Sequence, residues 1–209
     1  YVSRIGRRLS AVAPRQDVGY AFKVIRNDET VNAFALPGGH MYVYTGLMRL
    51  CEDEAELAAV MAHEIGHVKK YHLQLYLLLF LGFGLLAQLV SYPLLSLILG
   101  SEAFYRTVQG AHFGPGAALS TASIVAIFLL MLVYFRFVFG FFMRNFERQA
   151  DLHAFTALDD NAGPLVQVLE KIGWLSGNIR DLPSWHHFGI GQRVDYLLKC
   201  QADRRFVRR

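Results

Sequence analysis

The chain has 209 residues, enough for one core of ordinary size or for one domain with an addition. Hydrophobic residues make up 54% and charged residues 18%, with mean hydropathy +0.28, which is apolar for a water-soluble domain and directs attention to membrane segments. The net charge of +4 sits in a few Arg/Lys clusters with no aromatic-and-basic ladder, which disfavours nucleic acid, and two cysteines, Cys51 and Cys200, exclude a disulfide framework.

The first residue is Tyr1 rather than Met, so a leader or further membrane helices upstream are compatible with this sequence. In residues 1–12 the spacing of Val2, Ile5, Leu9 and Val12 predicts a short amphipathic helix with Arg4, Arg7 and Arg8 on its solvated side, ended by Pro14. Tyr20–Arg26, Val31–Leu36 and Met41–Tyr44 read as three strands, separated by Asn27-Asp28 and by the turn Pro37-Gly38-Gly39-His40. Three short strands here predict a small antiparallel sheet. An edge strand of such a sheet can hold an extended peptide by main-chain hydrogen bonds, or can simply bury a helix.

Thr45–Leu50 predicts a short helix, and Asp53 then caps a longer one, with Glu56 as its capping-box partner. This helix carries His63, Glu64 and His67 in the pattern H-E-x-x-H. Two imidazoles four residues apart lie about 40° apart around a helix and roughly 6 Å apart along it, close enough to grip one ion. The glutamate beside them can reach a water on that ion as a general base, the arrangement of zinc peptidases. Gly66 costs a helix about 1 kcal/mol relative to alanine, so close packing against it is expected. His72 is about 140° around the helix from His67 and reads as structural.

From Leu73 to Ser101 no side chain is acidic or basic, and Thr107–Phe135 holds only His112. Each stretch exceeds the roughly 20 apolar residues that span a bilayer. Apolar cores at Leu73–Leu99 and Ala117–Phe139 predict a transmembrane hairpin with a connector at about 101–116; the alternative is a very apolar hairpin buried in a soluble fold. Lys69, Lys70, Arg136, Arg144 and Arg148 flank the pair, against Arg106 in the connector. The positive-inside rule then puts both flanking halves in the cytoplasm.

Phe141–Leu158 predicts a returning helix with Glu147, Ala150, Asp151, Ala154 and Leu158 on one stripe. Two carboxylates on a packed stripe are costly to bury without a cation. Glu147 is therefore the third metal ligand and Asp151 the group that orients a ligating histidine. A solvated acidic face paired with Arg148 is the competing reading. His153 falls off the stripe. Two more helices, Leu165–Leu175 and Val194–Ala202, follow Gly163-Pro164. Between them lies a loop with Trp185, His186 and His187, and Arg193 is downstream. A histidine in that loop can lean over the metal, or the loop is ordinary aromatic packing. Arg204–Arg209 reads as a basic tail.

The run NAFALPGGHMYVYTGL, then DEAELAAVMAHEIGH, ERQAD and HHFGIGQR resembles the membrane-associated gluzincin peptidases of the HtpX and CAAX prenyl protease type. The resemblance covers both halves outside the apolar hairpin. It implies that His63, His67 and Glu147 hold one zinc ion per chain, with Glu64 as catalytic base, Asp151 in support, and His187, six residues before Arg193, as the loop histidine. The family's loop often reads His-Pro where this chain has His187-Phe188. The expected fold is α+β: a mainly helical gluzincin domain with a small sheet, in halves 1–72 and 141–209, interrupted by the hairpin 73–140.

The expected function is a membrane-anchored zinc endopeptidase acting on unfolded or membrane proteins. His187 and Arg193 are expected to steady the oxyanion. Substrate is expected to lie along Asn32, Ala33, Phe34 and Ala35 of the Val31–Tyr44 hairpin. The expected location is a bacterial inner membrane with the catalytic part facing the cytoplasm, and oligomers are compatible with the sequence. A CAAX-type processing protease, or a non-catalytic zinc-stabilised membrane chaperone, are the alternatives.

Overall fold

The computed structural model describes residues 1–12, 18–69, 72–99, 106, 115–177, 180–182 and 188–208. Contacts divide the chain into two units: Tyr1–Gln74 with Phe142–Arg209, and Leu75–Phe141.

The first unit opens with α1 (Val2–Ala11), whose Val2, Ile5 and Leu9 are buried while Val12 is exposed. Strands β1 (Ala21–Ile25), β2 (Ala33–Leu36) and β3 (His40–Tyr44) form one sheet in the order β1-β3-β2. The expectation of an antiparallel sheet holds for β2 and β3 only; β1 runs parallel to β3. The reason lies in the connection. Residues 26–32 are too long a link for a tight hairpin and leave room for β3 to enter between β1 and β2. That link is fixed in place by Asn27, whose side-chain oxygen accepts the N–H groups of Glu29 and Thr30 and whose own N–H donates to Thr45 Oγ1.

Gly38 and Gly39, with φ of 85° and 86°, make the turn between β2 and β3. Both sit in the left-handed region that glycine enters without a Cβ clash. Alternation along the sheet separates two faces. Ala33, Met41 and Val43 point into the core, while Phe34 stacks on Tyr42 at 5.0 Å on the other side.

After α2 (Thr45–Leu50) comes the central helix α3 (Glu54–Lys69). Asp53 caps it by accepting the Glu56 N–H at 2.8 Å. The Glu56 carboxylate reaches back to the N–H of Glu52 at 2.8 Å, one residue earlier than a capping box places it. Leu57, Ala59, Met61, Ala62 and Ile65 are buried on several sides of α3, because α1, β2 and a later helix all pack on it. Arg4 and Arg8 of α1 meet Glu54 at 2.7 and 3.4 Å.

The second unit contains α4 (His72–Leu99) from Leu75 onward, α5 (Pro115–Val133) and a wider π-helical segment, Tyr134–Phe139. Among its described residues the core is small: Phe83 stacks on Tyr134 at 4.4 Å, and the Tyr134 hydroxyl donates to the Leu79 carbonyl at 2.7 Å. Leu78, Leu81, Leu85, Leu89, Phe128 and Leu129 are exposed. An apolar exterior of that kind suits lipid better than water. Among the described residues one helix, Ile124–Ala157, is long and apolar enough to cross a membrane, and a shorter apolar helix covers Gln74–Val90.

The first unit is completed by α6 (Gly140–Ala157), α7 (Gly163–Leu175), α8 (Ile190–Ala202) and a 3-10 turn at Arg204–Arg208. Within it α3 crosses α6 at Gly66. A Cβ there would lie 2.9 Å from the Ala150 Cα and 3.1 Å from the His153 Cβ, so no side chain fits between the two backbones.

Candidate metal centre

The Gly66–Ala150 crossing decides what meets across it. His63 and His67, one turn apart on α3, face Glu147, which is three residues before Ala150 on α6. The two Nε2 atoms are 3.2 Å apart. Each lies 3.6 Å from a Glu147 carboxylate oxygen, His63 from Oε2 and His67 from Oε1. Bonds of 2.0–2.2 Å in a tetrahedral zinc site put the ligand atoms roughly 3.3–3.6 Å from one another. The observed separations are close to those values, with the two 3.6 Å contacts ending on different Glu147 oxygens, and the donor set, two imidazoles and one carboxylate, is of zinc type.

A ring of support surrounds the triangle. His63 Nδ1 is 2.9 Å from Asp151 Oδ1. Burial works against a charged His63 ring, but the Asp151 carboxylate outweighs it and raises the pKa. Asp151 in turn takes two hydrogen bonds from Arg193 of α8, Nε to Oδ2 at 2.8 Å and Nη2 to Oδ1 at 2.6 Å. A third guanidinium nitrogen stands 3.8 Å from Glu147. Burial alone would discourage the charge on Arg193, yet Asp151 and Glu147 keep it firmly protonated. Asp151, at 1% exposure, is thus held from two sides, a geometry that fixes which ring nitrogen of His63 points at the triangle.

Glu64, beside His63, accepts a hydrogen bond from the Ala35 N–H of β2, and burial pushes its carboxyl up to about 7. The Tyr44 N–H donates to the Asn32 carbonyl and the Gly39 N–H to the Leu36 carbonyl, so the backbone groups of Asn32, Phe34 and Leu36 face β3. Those of Ala33 and Ala35 face the open side of the strand. Glu64 therefore stands at the edge of β2, next to the histidines.

Of the residues singled out in the sequence, His63, Glu64, His67, Glu147, Asp151 and Arg193 come together, with Asn32, Ala33 and Ala35 alongside. Phe34 turns to the aromatic face of the sheet with Tyr42. Arg148 does not pair with the acidic stripe; its guanidinium stacks on Phe188 and Tyr196 at 4.8 and 4.4 Å. His187, with Trp185 and His186, lies outside the described residues. Sequence reasoning missed the contribution of α7. Leu165, Val168, Leu169 and Ile172 line a cavity beside His63 and Glu64, and only their helical spacing toward the core hinted at it.

The family model for peptidase family M48 matches residues 1–187. The chain belongs to peptidase family M48. Its relatives include the mitochondrial metalloendopeptidase OMA1 of Schizosaccharomyces pombe, 46% identical over 72 residues, 34% of this chain and 21% of that protein. The β-barrel assembly-enhancing protease of Escherichia coli K12 is 42% identical over 73 residues, 35% of this chain and 15% of that protein. A protease HtpX homologue of Thermoplasma acidophilum is 29% identical over 168 residues, 78% of this chain and 48% of that protein. The chain thus spans less than half the length of these relatives. Membership of M48 agrees with the gluzincin resemblance, with the mainly helical fold and small sheet, and, through the HtpX homologue and the apolar helix, with membrane association.

Proposed function

We propose that this M48 chain is a zinc-dependent endopeptidase, and the observation that carries the reading is the convergence of His63, His67 and Glu147, the two Nε2 atoms 3.2 Å apart and each 3.6 Å from one Glu147 oxygen. These three residues hold one zinc ion, and Asp151, braced by Arg193, keeps the His63 ring turned toward it. When bound, zinc supplies positive charge that polarises a peptide carbonyl and acidifies a water. Glu64 takes a proton from the attacking water and hands it to the leaving nitrogen, a role its raised pKa and its place beside His63 both support. The substrate lies as an added strand on the open edge of β2, where Ala33 offers its backbone groups to any sequence. His187 supplies a hydrogen bond to the developing oxyanion.

The hairpin 73–140 anchors the chain in a bilayer, the bacterial inner membrane in this reading, and the Lys/Arg flanks favour a cytoplasmic peptidase unit. Unfolded or damaged membrane proteins are the substrates such a location and such a backbone-reading edge favour. The test uses the full chain in lipid nanodiscs with casein as substrate. Glu64→Gln is expected to keep its zinc and lose about 10²–10⁴-fold in cleavage rate. A metal chelator is expected to stop the wild type, and added zinc to restore it. Undiminished cleavage by zinc-loaded Glu64→Gln would remove Glu64 from the mechanism. Wild type that binds zinc without cleaving would leave the metal a structural one.

A further inference from the structure

Helices α6 and α8 meet at more than the Asp151–Arg193 pair. Arg148, three residues before Asp151, lays its guanidinium over two rings. One is Phe188, two residues ahead of α8, at 4.8 Å; the other is Tyr196, three residues after Arg193, at 4.4 Å. Arg144, one turn earlier on α6, stands 6.0 Å from the same Phe188 ring. Arg148, Phe188 and Tyr196 are all partly buried. A guanidinium within about 6 Å of a ring centroid is attracted by the ring quadrupole, more strongly where water is partly excluded. Its flat face also stacks on a ring, which an ammonium cannot do.

Spacing ties this stack to the metal centre. Three residues are nearly one helical turn, so Arg148 and Asp151 share a face of α6, and Arg193 and Tyr196 share a face of α8. The stack is therefore the next rung beside the Asp151–Arg193 pair. That pair is demanding, because Arg193 gives Nε and Nη2 to the two oxygens of one carboxylate at 2.8 and 2.6 Å. Such a fork fits one register of α8 against α6. Asp151 in turn orients the His63 ring through Nδ1 at 2.9 Å. Resting on the zinc reading above, we propose that Arg148 is a positioning residue of the metal centre: held on Phe188 and Tyr196, it fixes α8 in the register that sets the Arg193 fork on Asp151. Without the stack α8 shifts, the fork keeps one of its two bonds, and the His63 ring loses its fixed direction.

The experiment measures zinc affinity of the full-length chain in lipid nanodiscs by competition with a chromophoric chelator, with melting curves of the zinc-free chain alongside. Loss of a group that orients a metal ligand weakens binding by about 10–100-fold; Arg148 stands one step further out, and Arg148→Met is expected to weaken zinc by roughly 10-fold. Arg148→Lys keeps the charge without the flat face and is expected to weaken it nearly as much. Tyr196→Leu is expected to follow Arg148→Met, and Tyr196→Phe, which keeps the ring, to recover most of the affinity. A double-mutant cycle tests the route. With Asp151→Asn already in place, Arg148→Met is expected to weaken zinc by less than about two-fold more, because the path to His63 is already broken. Arg193→Lys, which removes the fork, takes the place of Asp151→Asn if melting shows that the latter does not fold. The proposal is overturned if folded Arg148→Met or Tyr196→Leu binds zinc as wild type does, whatever its melting temperature. It is also overturned if Arg148→Lys equals wild type, or if the two losses multiply in full in the double variant. Wild type that binds no zinc overturns the metal-centre reading itself, a distinct outcome.

Discussion

Helix α3 buries charge at both ends, and the two ends are built differently. In the first turn Glu56, 1% exposed, meets Lys171 Nζ of α7 at 2.7 and 2.9 Å and accepts the Glu52 N–H as well. A cation and one backbone N–H close that cluster. Toward the other end, Arg193 gives its two short bonds to Asp151, and the ring nitrogens of His63 and His67 converge with the Glu147 carboxylate on one small volume. Both clusters tie α3 to helices far along the chain. One brings its own counter-ion, and the other presents a donor set of the kind that takes its charge from outside. Burial of a carboxylate is therefore not by itself a sign of a site; what distinguishes the two is where the remaining lone pairs aim.

The same substitution at the two glutamates gives the sharpest contrast, and the larger effect belongs to Glu147. Glu147→Gln keeps size and shape but replaces an anionic ligand by a neutral amide. Zinc content, measured by elemental analysis of the purified chain, is expected to drop to background, and casein cleavage with it. Retention of zinc by this variant would mean that another group supplies the third ligand. The next effect tests the crossing that delivers Glu147. Gly66→Ala puts a methyl group 2.9 Å from the Ala150 Cα, against backbone that cannot turn aside. Overpacking of this kind costs about 1–3 kcal/mol. The urea midpoint is expected to fall accordingly, and zinc affinity with it, since Glu147 is carried on the helix that is pushed away. Gly82, in α4, has nothing among the described residues within 4 Å of an added Cβ, so Gly82→Ala serves as the control glycine and is expected to leave zinc affinity unchanged.

How much of this was legible in the sequence follows from the range of each signal. His63 to His67 is a local, helical relation, and the stripe Glu147, Ala150, Asp151, Ala154 is another. Each is fixed by the 3.6-residue period, so both helices and their inward faces could be read directly. Gly66 even announced the crossing, though not its partner. The orientation of β1 was not legible. Strand direction depends on how a loop closes, and residues 26–32 carry their pinning contacts in Asn27 and Thr45, which lie on different elements. Lys171 and the wall of Val168, Leu169 and Ile172 were hidden for the same reason. Lys171 is 115 residues from Glu56, and nothing local to α7 says which buried acid a lysine will meet.

Glu56→Gln is the smallest expected effect and the one that tests whether the two ends of α3 are independent. Glutamine keeps an oxygen that can accept from both the Glu52 N–H and Lys171, while its amide NH2 replaces the oxygen 2.7 Å from the ammonium, which must draw away toward Glu52. Lys171 keeps Glu52 at 3.0 Å, and its side chain is 24% exposed, so water can solvate the ammonium that loses its main partner. Removing the anion of a buried pair while the cation can rehydrate is much milder than the reverse. Lys171→Met would instead leave Glu56 charged and enclosed. The melting temperature of Glu56→Gln is thus expected to fall by a few degrees at most, and that of Lys171→Met by more. Zinc affinity and cleavage rate should match wild type in Glu56→Gln, because His63 is seven residues, about two turns, along the helix. A tenfold loss of zinc affinity in Glu56→Gln would show that the ion pair sets the position of α3 at the metal end, making the first cluster part of the site rather than its structural counterpart.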